Sequence, residues 1–353
     1  MEFLRIDRQP ELHDPVAIIA FAGWNDAASA ATNAARFVIR RMGARRFASV
    51  DPEFFFDFRE TRPNVRIDAR GNREIQWPTN DFFYARNPVG PHDVVVAVGT
   101  EPNLRWGGFT SAYSNLFRDL GVTMALTVGA LMADVPHTRP VRVTGSAQDP
   151  ELNERLGLSP SRYEGPTGIV GVLHQAMREA SLPAASLWAN VPHYITTAQN
   201  PPATAALLRR LGPITGLEFD LADLESASER FVSEVETAIK ANPEVVDYVR
   251  RLEQAIDEGA ADEPNLPRAE DVVLDVERFL RGERDDSYPS KEPPRNNSVL
   301  LSSSRCLRGF RLSPASPAGR VEPCPRNLCS PTTSAPSSAG GPSSPPSASP
   351  SAT

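Results

Sequence analysis

The residues with the most chemical potential sit where apolar runs stop. Trp24, Asn25 and Asp26 follow the run at 16–21, and Glu101, Asn103 and Arg105 follow the one at 93–98. His137 and Arg139 lie between Pro136 and Pro140, Tyr163, Glu164 and Thr167 form a Gly/Pro loop, and His193 closes the run at 185–191. Each type suggests a role. Trp24 can wall a pocket or sit in an interface, while Asn25 and Asp26 suit a turn and a helix N-cap. Glu101 and Arg105, four apart at a helix start, either pair with each other or present a base and an anion clamp. His137 suits proton transfer near neutral pH, and Arg139 suits a phosphate or carboxylate. The 163–168 loop, with Thr167 as cap, could hold an anion on backbone N–H groups.

Several chemistries lack their signatures. No Gly-Lys-Ser/Thr follows the 163–168 loop and no G-x-G-x-x-G follows a strand, so no P-loop or dinucleotide cofactor is expected. No Gly-x-Ser-x-Gly elbow is present. The three cysteines, Cys306, Cys324 and Cys329, all lie in the last segment; Cys324 and Cys329 lack the second pair a zinc site needs, and the histidines lack H-x-x-x-H spacing, so no metal is expected.

These residues need a frame that brings strand ends together. The runs at 16–21, 93–98, 122–128 and 185–191 are continuous rather than alternating, as in strands covered on both faces. Helical stretches at about 26–42, 106–120, 169–180 and 202–211 intervene. Strand, loop and helix in repetition predict an α/β fold with a mostly parallel sheet, in which ligands bind beyond the carboxyl ends of the strands. Further strands are expected at 46–50 and 141–145, a hairpin over 65–77, an extended aromatic stretch at 51–58, and a short helix at 150–156. Residues 1–13 read as a polar lead-in.

From about 216 the apolar period becomes helical. Leu221, Leu224, Phe231 and Val235, then Val245, Val249, Leu252 and Ile256, predict an antiparallel helical hairpin, with a third helix at 268–281. The expected division is an α/β body at 1–215, a helical appendage at 216–286 and a disordered Ser/Pro-rich tail at 287–353. The foreign composition of that tail also suggests a reading-frame accident.

The net charge of the 353 residues is −7. Residues 290–353 hold seven Lys/Arg against two Asp/Glu, so the rest of the chain is more acidic still. That balance argues against nucleic acid. No signal peptide and no membrane-spanning run is expected, which points to the cytoplasm.

Taken together, Gly23-Trp24-Asn25-Asp26, Thr61-Arg62-Pro63, Glu101 to Trp106, Gly129 to Pro140, Tyr163 to Gly168 and Ala189 to Tyr194 resemble the actinobacterial branch of the proteasome assembly chaperone family. The resemblance covers about 16–286. It implies a three-layer α/β/α sandwich similar to the nucleoside phosphorylase fold, with a helical C-terminal piece. It implies a homo-oligomer, with a trimer as the form to test, and proteasome subunits as partners, since eukaryotic relatives are chaperones of proteasome α-subunits. It brings no catalytic residues. A chaperone-like binding protein is therefore expected; the alternative is an enzyme on that fold, or an ATP-grasp-related ligase, acting on a small anionic substrate.

Overall fold

The fold was obtained as a computed structural model that describes residues 3–258. The third helix expected at 268–281 and the tail at 287–353 lie outside the described residues. In chain order the elements are β1 (Leu4–Ile6), β2 (Val16–Ala22), α1 (Ala30–Arg41), β3 (Arg45–Val50), β4 (Asn64–Ile67), β5 (Arg73–Gln76), β6 (Asn80–Ala85), β7 (Val94–Thr100), α2 (Trp106–Asp119), β8 (Met124–Ala133), β9 (Val143–Ala147), α3 (Pro150–Leu156), α4 (Ile169–Glu179), β10 (Ala184–Pro192), α5 (Pro201–Thr215), α6 (Ala222–Ile239) and α7 (Pro243–Asp257).

Eight strands form one sheet in the order β1-β3-β6-β7-β2-β8-β10-β9. The four central strands, β7, β2, β8 and β10, are parallel, and they are the four continuous apolar runs. Both flanks are antiparallel, so the sheet is parallel only through its centre. Successive side chains point to opposite faces. Val16, Ile18 and Ala20 meet α1 and α5, whereas Ala17, Ile19 and Phe21 meet α2 and α4. The result is the expected three-layer sandwich. The Ala30, Ala31, Ala34 and Ala35 face of α1 lets that helix lie close to the sheet.

Four local expectations are corrected. The lead-in contains edge strand β1, which pairs with β3. Strand β6, absent from the sequence reading, bridges β3 and β7. Residues 51–58 are not extended: a 3-10 turn at Pro52–Phe54 turns Phe55 and Phe56 into the core. Strand β8 continues through residues 129–133, past the end expected at 128, because β10 pairs with it as far as Ala133.

Helix α6 packs on α5, and α7 follows it after a short link, two helices as the apolar period predicts. Asn242 caps α7, its Oδ1 accepting from Glu244 N at 3.2 Å.

Candidate functional site

The helix after β2 lies on one face of the sheet, and α2, which follows β7, lies on the other together with α4. Chain ends leaving neighbouring parallel strands in opposite directions open a crevice, the usual ligand position in such sheets. Trp24, Asn25 and Glu101 stand at this crevice.

Gly23 makes the approach of the two loops possible. Its φ of +135° suits a residue without a side chain, and a Cβ there would sit 3.2 Å from Glu101 Cβ. Beyond it, Asn25 is buried with no hydrogen-bond partner for Oδ1 or Nδ2 among the described residues. Glu101 reaches across the chain, and its Oε1 accepts from Ile169 N at 2.9 Å. The three side chains converge at Gly168. A Cβ there would lie 2.9 Å from Glu101 Oε1, 3.0 Å from Asn25 Oδ1 and 3.4 Å from Trp24 Cε3. Trp24 itself is 70% exposed.

Asp26 points inward. Its carboxylate accepts from Ala31 N at 2.7 Å and from the Thr32 hydroxyl at 2.5 Å. Burial raises its pKa, and these hydrogen bonds oppose the rise. The expected cap is therefore real, but it reaches past an inserted 3-10 turn, Ala27–Ser29, so α1 begins at Ala30 rather than at 26.

The other candidates at this end are mostly structural. Glu101 and Arg105 do not pair: Arg105 lies over the Phe54 ring at 5.8 Å, while Glu101 turns to α4. Asn103 Oδ1 accepts from Asp57 N at 3.1 Å and Thr61 Oγ1 at 3.0 Å, fixing the 51–61 loop. The cap of α4 is Gly168 rather than Thr167. Tyr163 donates to Pro166 O at 2.9 Å within its own loop. Glu164 is exposed and makes no hydrogen bond or ion pair among the described residues.

His137, Arg139 and His193 form a second cluster, at the ends of β8 and β10. Arg139 holds α7 through Asp257, at 3.1 Å from Nε and 2.7 Å from Nη2, and through Glu253 at 3.4 Å. Thr138 donates to the same Glu253. His137 N and Nδ1 both lie 2.8 Å from the Tyr194 hydroxyl. Burial lowers the pKa of His137, against the opposing pull of Glu236 and Glu253, and burial pushes Tyr194 up to about 12. His193 pairs with Asp134 at 3.0 Å, and Asp134 accepts from the Tyr248 hydroxyl at 3.2 Å. Rings of His193, Tyr194 and Tyr248 stack edge to face around this joint. Beside it lies an open cleft of about 990 Å³ whose lining includes His137, Val141, Arg209, Val232 and Glu236.

The candidates thus share one edge of the sheet but divide into a notch at Gly168 and a joint at α7. Sequence reasoning missed Gly168, Asp134, Tyr248, Glu253 and Asp257. Tyr248 and its partner Asp134 are 114 positions apart, and no local pattern links them.

With this geometry fixed, comparison with known proteins is decisive. The model of the PAC2 family matches residues 20–239. The chain belongs to the PAC2 family. This PAC2 protein is 41% identical to a PAC2 family protein of Streptomyces avermitilis, over 67% of this chain and 100% of that one, with a TM-score of 0.63. It is 40% identical to a proteasome-assembly chaperone homologue of Mycobacterium tuberculosis, over 66% and 99%, with a TM-score of 0.61. An archaeal proteasome activator of Pyrococcus furiosus shares the fold at 19% identity over 67% of this chain and 99% of that one, with a TM-score of 0.54. No curated protein matches the chain. Among the described residues no helix is long and apolar enough to cross a membrane.

Proposed function

We propose that this PAC2 protein works by binding: a cytoplasmic, homo-oligomeric, chaperone-like protein whose partners are proteasome subunits. One observation carries this reading. Along the strand-end edge, most ionisable candidates are spent on holding the fold: Asp26 caps α1, Glu101 caps α4 and Arg139 clamps α7. That edge also turns four large apolar side chains outward among its polar ones: Trp24, Leu104, Met132 and Tyr163 are all exposed. Exposed aromatic and Met side chains around polar groups are typical of protein-binding surfaces. The kinship with a proteasome-assembly chaperone homologue supports the choice of partner.

An enzyme acting on a small anion fits less well, because the N-terminus of α4 already holds the Glu101 carboxylate. The test is to mix the purified full chain with purified actinobacterial proteasome α-subunits and with assembled proteasomes, and to follow co-elution. Binding is expected, and a Trp24→Asp, Met132→Asp double variant should lose it while melting normally. Absence of co-elution with either species would overturn the reading.

A further inference from the structure

We propose that the notch formed by Trp24, Asn25, Glu101 and the start of α4 binds a guanidinium group.

The notch is chemically incomplete in the chain alone. Asn25 is 1% exposed, and neither atom of its amide has a partner among the described residues. A buried polar group left unpaired costs roughly 1–3 kcal/mol, so a native chain rarely keeps one without a use. The amide stands against Gly168, where a Cβ would lie only 3.0 Å from Asn25 Oδ1 and 2.9 Å from Glu101 Oε1, so a residue with no side chain is what lets the two acceptors face one point.

The charge of the notch selects the ligand. Glu101 Oε1 is satisfied by Ile169 N, but Oε2 has no hydrogen-bond partner among the described residues. The helix N-terminus, which would otherwise attract an anion, is thus already occupied by a carboxylate. The basic side chain on the same loop, Arg105, turns to the Phe54 ring. An anion would meet the free Glu101 oxygen and be repelled; a cation would be held by it.

Geometry then favours guanidinium over ammonium. Two acceptors, Glu101 Oε2 and Asn25 Oδ1, call for several donors set in one plane, which a guanidinium has and a point-like ammonium lacks. The Trp24 ring beside them gives a flat π face on which guanidinium stacks. Trp24 is 70% exposed, so the ring that covers the two acceptors faces solvent, and entry of the group requires it to turn aside. Asn25 Nδ2 remains for a water.

The same group is carried by an arginine side chain of a protein partner and by a free guanidinium compound. The first case rests on the reading of this edge as a protein-binding surface; the second does not. Agmatine serves as the probe, titrated into the full chain by calorimetry and by tryptophan fluorescence. Saturable binding is expected. It should weaken by about tenfold or more in Glu101→Gln, the value of one charge-assisted hydrogen bond. The glutamine oxygen still accepts from Ile169 N, so this variant keeps its helix cap and should melt normally. Gly168→Ala, whose methyl would press on Glu101 Oε1 and Asn25 Oδ1 and push the two acceptors apart, should abolish binding, and butylamine should bind more weakly than agmatine. If agmatine displaces proteasome α-subunits, the natural source is a partner arginine; if it binds without displacing them, a free ligand is indicated. The inference is overturned if the wild-type chain shows no saturable agmatine binding, in which case the amide holds an internal water only, or if Glu101→Gln binds equally well. Co-elution with α-subunits is read separately, so either idea can fail alone.

Discussion

Two buried polar residues show how single side chains divide between structure and use. Asp26 and Asn25 are neighbours, yet Asp26 finds donors in Ala31 and Thr32 while Asn25 finds none. The sequence marks both as turn residues and cannot separate them, because the difference arises from where Gly168 passes. His174 was never a candidate, and the structure explains its silence. It lies on the buried face of α4, with Nε2 2.9 Å from Thr127 Oγ1, and burial holds its pKa down to about 4. Unfolding frees it to an ordinary value of 6.5. Below pH 6.5 the unfolded chain therefore takes up a proton that the folded chain refuses. Stability should be lost as pH falls from about 6.5 through 4, by up to roughly 3 kcal/mol. Urea melts across that range should show the loss in the wild-type chain and a shallower one in His174→Gln. A variant as steep as the wild type would assign the acid sensitivity to other groups.

At the level of elements, the hairpin of α6 and α7 was legible from its 3–4 apolar period, but its seat was not. Only Val235 on α6 and Val249 on α7 are buried. With so little apolar burial, the position of α7 depends on polar contacts to the 134–139 segment. That recasts the His137-Thr138-Arg139 segment, which the sequence offers as a catalytic or anion-binding loop. Its prolines and charges stiffen a joint, and the partners of that joint on α7 lie more than 110 positions away. Arg139 is 35% exposed and its partner carboxylates are partly open to solvent, so screening limits each pair. Arg139→Ala should lower global stability only slightly, with a larger local effect. Hydrogen exchange of α7 amides should speed several-fold while β2, β7 and β8 remain protected. Uniform acceleration across the sheet would show that α7 is integral to the core rather than clamped to it.

For the whole molecule, the parallel centre was readable because strands covered on both faces must be apolar throughout. The antiparallel flanks were harder. In β6, Asn80 and Asp81 interrupt the pattern, and Asn80 is buried only because Tyr113 and the Thr100 carbonyl satisfy it. The β4–β5 hairpin was legible too. Every residue of both strands is exposed. Val65 pairs with Ile75, and Ile67 extends the same side, at 51%, 54% and 64% exposure. Two strands alone are marginal in water, and such ribbons persist when their apolar side is covered. A second copy of the chain is the cover consistent with the proposed homo-oligomer. Light scattering of the full chain should therefore give a multiple of the 38.4 kDa protomer, three copies for a trimer. Ile67→Asp with Ile75→Asp places charge on that side without touching the eight-stranded sheet, and should shift the mass toward one protomer while melting and circular dichroism stay near wild type. An unchanged mass would place the subunit contact elsewhere, and a wild-type chain that runs as a monomer would remove the oligomer from the proposed function.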